Sequence, residues 1–349
     1  MTKRRKKSLT RKILLGMLAA GMLWGGFAAQ AEAHKYHYEA TVDGDVAACN
    51  KTVTEATYWG DTGTRDQEYA VGYVGEGIAA NANGNTLTLN TGVNFIKVSG
   101  NGGPFCFSIY GGKVVGTSSS NSNNNTVIVN GGHYEIKDLA GGYGQTASHN
   151  TVTINDTTGN NTGTFITAQQ AIMGGGGSGN SDYNTVNING GTFAVTSIAG
   201  GGFSGISNYN TVNINGGTFS NHIKIYGGHT TGGTASGNTV NITGGTFLDS
   251  ADIIGGNGNS LSTTNNNTVT ISGGNFTRGI YLCGGKNAGT NNTLTQTSHT
   301  ENIPYALINQ LELNVESHSR TLLCTQTTHP KSGQIVQESF QERFDQQDF

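Results

Sequence analysis

The sequence predicts an all-β fold, a right-handed parallel β-helix solenoid of about seven rungs, and three observations predict it. The first is a recurring line, N-T-V-x-I-x-G-G-x-F. It runs Asn184-Thr185-Val186-Asn187-Ile188 into Gly190-Gly191 and Phe193, and returns at Asn210, Asn238 and Asn267. Degenerate copies start at Asn85, Asn125 and Asn150. The second is an apolar pair before Gly-Gly, seen at Ile109, Leu139, Ile172, Ile198, Ile225, Ile253 and Leu282. Its spacing runs from 26 residues (172 to 198) to 33 (139 to 172). The third is composition: 55 Gly, 3 Pro and only 12% charged residues in a chain of 349. A unit this short cannot bury a core alone, so neighbours must stack.

Residues 1–33 read as an export signal. Lys3 to Lys7, Arg11 and Lys12 make a basic start, residues 13–29 are apolar and small, and Ala31-Glu32-Ala33 fits an A-x-A cleavage site. His34 is then the first mature residue. Residues 34–84 are expected to cap the stack, because they are richer in charge, with Glu39, Asp43, Asp45, Glu55, Asp61, Arg65, Asp66 and Glu68.

Residues 85–295 are the repeats. Val212 and Ile214 alternate with Thr211, Asn213 and Asn215, which is the period of a strand. Gly216-Gly217 turns the chain, and Phe219 and Ile225 begin further short strands facing the same interior. Parallel stacking of identical lines puts Val on Val and Ile on Ile. It also puts Asn184, Asn210, Asn238 and Asn267 in a position to form an amide ladder along the axis. Hairpin repeats would instead need two equal alternating runs about a tight turn.

Residues 296–349 change character. Gln296 stands where Ile is expected, no Asn follows Asn314, and Gln becomes frequent. Two readings stand: a C-terminal cap with a short helix from Tyr305 to Leu313, or a segment foreign to the repeat, produced by an interrupted gene.

Exported cysteines can form disulfides. Cys106 and Cys283 sit in the first and last repeats, roughly 29 Å apart if rungs are spaced as stacked strands. That exceeds the about 7 Å a disulfide spans. Cys49–Cys106 and Cys283–Cys324 remain as permitted staples, alongside free thiols.

Motifs for chemistry are sparse. Asp249 and Asp252 share a rung, with Arg278 in the next, while Asp156 and Asp182 lie in other contexts. Paired carboxylates serve acid–base work on sugars, but solvated turn residues are the plainer account. Gly141-Gly142-Tyr143-Gly144 and Gly255-Gly256-Asn257-Gly258 mimic a calcium-binding nonapeptide, yet Thr146 and Ser260 replace its carboxylate. His34, His37, His133, His222 and His229 are scattered. No catalytic, cofactor-binding or metal-ligating residue is assigned, and no cofactor is expected. The aromatics Tyr143, Tyr183, Phe203, Tyr209 and Tyr226 fall near loops, where they cap the stack or contact sugars and proteins. Tyr183 and Tyr209 precede the same Asn of successive rungs and are expected to stack. The net charge of −3 points to no nucleic-acid partner.

The basic export signal, the Asn/Thr/Gly-rich composition and the N-T-V-x-I-x-G-G-x-F rungs together resemble autotransporter passenger domains, over residues 1 to about 295. That resemblance implies a surface-exposed or secreted adhesin-like binding scaffold, whose partner is a host or bacterial surface glycan or protein. It also implies a C-terminal outer-membrane barrel, whose strands the last 54 residues do not supply. The chain is therefore expected to be a truncated passenger with no membrane anchor of its own, periplasmic if no barrel partner exists. The alternative expectation is a carbohydrate-active enzyme, a polysaccharide lyase or glycoside hydrolase, on the same fold.

Overall fold

The computed structural model describes residues 35–324, apart from 42–44, 60–66, 77, 101–102, 106, 116–119, 157–162, 287–288, 297–305, 309–311 and 317–318. The export signal lies outside the described residues. Among them no helix occurs, and strands join into one large, almost wholly parallel sheet.

Each turn of the solenoid contributes three short strand segments, and each segment pairs with its equivalent one turn on. The N-T-V-x-I lines form the first column. Thr126–Val129, Thr151–Ile154, Thr185–Ile188, Thr211–Ile214, Thr239–Ile242 and Thr268–Ile271 stack in unbroken parallel register. Their burial alternates without exception: the second and fourth residues, all Val or Ile, face inward, and the first and third face outward, the third being Ile128 in the first strand and Thr or Asn in the others. A one-residue slip would turn every Val and Ile to solvent, which is why the register is so firmly set.

The second column starts after the Gly-Gly turn. Gly191, Gly217, Gly245 and Gly274 have φ between 98° and 109°, a conformation that L side chains rarely adopt. The Phe of each line then points inward. Phe193, Phe219, Phe247 and Phe276 form a file of stacked rings with centroids 5.0, 4.7 and 4.5 Å apart. The third column carries the apolar pair. Ile109, Leu139, Ile172, Ile198, Ile225, Ile253 and Leu282 close the core from the remaining side.

The expected amide ladder is present and longer than the four intact lines suggested. Asn85, Asn125, Asn150, Asn184, Asn210, Asn238, Asn267 and Asn292 are all fully buried. Asn85 Oδ1 accepts from the Cys49 N–H. From Asn125 on, each side-chain Oδ1 accepts from the backbone N–H of the asparagine one turn earlier, at 2.8–2.9 Å, through seven steps. The amide Nδ2 of that earlier asparagine donates to the same oxygen at 2.9–3.1 Å.

This ladder explains the second glycine of the Ile-Ala-Gly-Gly signature. A Cβ on Gly201 would lie 2.5 Å from the Asn210 amide nitrogen and 2.5 Å from the Ser181 carbonyl. The glycine is there for close approach rather than for a turn.

The solenoid starts before Asn85. Lys35–Thr41 pairs in parallel with Gln67–Val74, which pairs with Phe107–Val114, and Asn50–Trp59 pairs with Thr86–Ile96. The segment expected to cap the stack therefore contributes coils of its own.

At the other end the expectation of a helix from Tyr305 to Leu313 is overturned. Ala306–Ile308 is a strand, parallel to Ile280–Leu282. Glu312–Glu316 and Ser319–Cys324 are antiparallel partners, and the latter pairs antiparallel with Asn292–Gln296. The last rung presents a row of unpaired backbone groups, and such an edge recruits strand rather than helix. Residues 325–349 lie outside the described residues. So do Cys106 and the side chain of Cys324, one partner of each expected disulfide.

Candidate functional site

The outward residues of the third column form the most built surface of the molecule. Register fixes their rows. Glu68, Ser108, Asp138 and Ala171 follow one another along the axis, and further on Lys224, Asp252 and Tyr281 continue the row. Two residues on, a second row runs through Ala70, Tyr110, Ala140, Met173, Ala199, Tyr226, Ile254 and Cys283. These residues face away from the core yet are buried, and they pack on one another as a separate apolar cluster. Beyond the Gly-Gly pair a third row holds Tyr73, Lys113, Tyr143 and Gly176.

Between these rows lies an open cavity of about 550 Å³, lined by Glu68, Tyr110, Lys113, Asp138, Tyr143 and Phe203 among others. The volume falls within the range of small-molecule sites.

Its electrostatics are specific. Lys113 forms an ion pair with Glu68, and both side chains are largely buried, at 16% and 6% exposure. The Lys113 ammonium sits 4.9 Å from the Tyr110 ring centroid and 5.8 Å from that of Tyr143. The two rings are 5.4 Å apart and tilted at 53°. A cation held over aromatic faces is attracted by their quadrupoles.

Asp138 lies two rungs from Glu68 in the same row. Burial pushes its carboxyl pKa up, while Lys137, the Ala171 N–H and Lys113 pull it back. The Ala171 N–H donates to Asp138 Oδ1 at 3.2 Å. Burial also raises the Tyr110 hydroxyl far above its ordinary value. The cavity thus combines a carboxyl with raised proton affinity, a neutralised ion pair and two phenols.

Most residues singled out from the sequence lie elsewhere. Asp249 and Arg278 approach to 3.7 Å, with Arg278 68% exposed, which makes a weak surface pair. Asp252 does stand in the outward row, but its partner is His222 at 3.4 Å, and it lies four rungs from Asp138. Asp156 accepts from the Gly163 N–H within its own loop, and Asp182 accepts from the Asn208 N–H of the next turn, so both are engaged in holding backbone. These four carboxylates are not brought together. Among the described residues no group of three His, Cys, Asp or Glu is placed to hold a metal ion. His133 lies 3.7 Å from Glu135 on the outside of the second column, His34 is outside the described residues, and nothing is described of the His37 side chain.

The aromatics divide. Tyr143 and Phe203 line the cavity, and Tyr226 belongs to the buried apolar row that also holds Tyr110 and Met173. Tyr183 and Tyr209 stack as expected, 5.0 Å apart and 13° from parallel, and His149 extends the file at 4.9 Å. All three have φ of 56–59°, a strained conformation for bulky residues. Tyr209 lies over Gly237, whose Cβ would fall 2.6 Å from its ring. Ring faces in this file cover each other, leaving edges to solvent. A sugar stacks on a face, so the cavity is the better aromatic platform.

Glu68, Lys113 and Asp138 escaped sequence reasoning. The available signal was their position: Glu68 and Asp138 each stand one residue before the inward apolar position of the Gly-Gly signature, as Asp252 does.

No protein-family model matches this chain, and neither a curated protein nor a solved structure is similar to it.

Proposed function

We propose that this chain is an exported, non-enzymatic binding scaffold, adhesin-like in the manner of an autotransporter passenger, which holds a surface glycan in its outer groove. The parallel solenoid supports that reading at the level of architecture. One observation carries it at the level of the site: the Tyr110–Lys113–Tyr143 cluster over the open cavity. Rows that repeat every about 4.8 Å along the axis suit an extended polymer better than a compact metabolite. Aromatic rings with polar groups between them supply both stacking and hydrogen bonds. Export and a surface or extracellular location belong to the same proposal, resting on the basic start and the Ala31-Glu32-Ala33 site.

The test is binding of the full chain to an array of bacterial and mucosal glycans, with Tyr143→Ala beside it. Loss of the central aromatic should weaken binding by about tenfold or more. Equal binding by both proteins, on every glycan retained, sinks the groove as the site.

A second reading has an observation in its favour. Glu68 and Asp138 are two rungs apart, about 9.6 Å between backbones at strand spacing. Inverting glycosidases hold their carboxyls about 6.5–9.5 Å apart, one of them with raised proton affinity. Against it stands Lys113, which already holds Glu68. Release of new reducing ends from a glycan that binds, abolished by Asp138→Asn, would favour hydrolysis over simple adhesion.

A further inference from the structure

The third column carries a second polar feature, nearer the C-terminal end. His229 and Asn257 are partners in parallel register, so their side chains project from the same face on adjacent rungs. The Nδ1 of His229 and the Oδ1 of Asn257 are both buried, and neither has a hydrogen-bond partner among the described residues. Asn257 is only 8% exposed. Two neighbouring buried acceptors left unmatched are uncommon, since such groups are nearly always satisfied.

Their surroundings are aromatic. The His229 ring meets Phe203 edge to face at 4.6 Å and Tyr226 at 5.1 Å. Phe203 is 43% exposed and also lines the cavity, so the pair adjoins the groove rather than standing apart from it. Gly176 and Gly202 occupy the wall between Tyr143 and His229, which leaves Met173 lying over them.

We propose that His229 and Asn257 form a second subsite of the groove, one that takes a hydroxyl group of a neutral sugar. This rests on the groove being the binding site. With its proton on Nε2, the imidazole accepts at Nδ1, and the amide accepts at Oδ1. Two acceptors select a donor. A cationic donor is disfavoured, because Lys224 and Lys286 impose a positive field on His229. An anion is disfavoured by the two acceptor atoms themselves. A neutral hydroxyl remains, with the exposed Phe203 beside it to meet the apolar face of the sugar ring. Burial, with those lysines, holds the His229 pKa down at about 4, so the imidazole stays uncharged and keeps its acceptor at neutral pH.

The experiment titrates the full chain, labelled with ¹⁵N-histidine, with neutral N-acetylchitohexaose and separately with a galacturonate hexamer. A shift of the His229 Nδ1 resonance with the neutral sugar is expected. His229→Phe and Asn257→Ala should each weaken that binding about tenfold, and His229→Gln, which keeps an acceptor, should stay within about threefold of the unmodified chain. Circular dichroism identifies any variant that fails to fold, and the Gln variant then still decides. If Tyr143→Ala abolishes binding while the His229 and Asn257 variants bind normally, the groove stands and the subsite falls. Tighter binding of the galacturonate hexamer overturns the choice of a neutral ligand. If neither sugar binds, the groove reading fails together with the subsite.

Discussion

Asp138 shows how much one side chain can cost where it stands. Its pKa is raised chiefly by burial, so the charged form is disfavoured in the folded chain. A carboxyl with a raised folded pKa adds stability fully below its unfolded value, and that stability is lost as pH rises through the folded value. Asp138→Asn keeps an acceptor for the Ala171 N–H and removes the titration. The variant should therefore melt higher than the parent at pH 7, and the difference should vanish near pH 3. Thermal melts at both pH values check this. A variant that melts lower at pH 7 would mean that the Lys113 and Lys137 charges outweigh burial.

Between elements, the strongest determinant is the amide ladder. Asn210 accepts from the Asn184 N–H and amide, and its own amide donates to the Ser181 carbonyl, to Ser207 and to Asn238. Removing it orphans several buried groups at once. Asn210→Ala should cost roughly 2–4 kcal/mol, since each stranded partner loses its hydrogen bond without regaining water. Chemical denaturation measures this. A change under about 0.5 kcal/mol, the range of ordinary surface substitutions, would show that water replaces the amide. The ladder also ties two sequence signatures together, because the asparagine fills the space that the second glycine vacates.

As a whole, the molecule is a one-dimensional stack in which each rung contacts its neighbours. Stability of such a chain is close to a sum of rung and interface contributions, so ends open before the middle. Amide exchange should be slowest in the strands at Val186, Val212 and Val240, and faster by about two orders of magnitude or more at Ala306–Ile308, which pairs in parallel with Ile280–Leu282 near the end of the stack. Uniform protection along the axis would instead indicate a single cooperative unit. The antiparallel pair Glu312–Glu316 and Ser319–Cys324 is the device that interrupts the parallel ladder at that end.

The sequence by itself determined the solenoid, the parallel register, the inward file of Val, Ile and Phe, and the asparagine ladder. These follow from identical residues at a repeating period, and stacking identical lines leaves one register that buries every apolar side chain. Period alone also exposed the likeness of Tyr183 to Tyr209. The groove was not legible in the same way. Glu68, Lys113 and the pair Asp138 and Tyr143 belong to three successive rungs whose lengths vary, and they meet only because each outlying loop returns the chain to the same column. His229 and Asn257 are 28 residues apart, and no local pattern marks either one. The short helix offered over Tyr305 to Leu313 in one of the two readings of the tail fails for a related reason. The tail's conformation is set by the open edge it meets, a tertiary feature that outweighs local propensity.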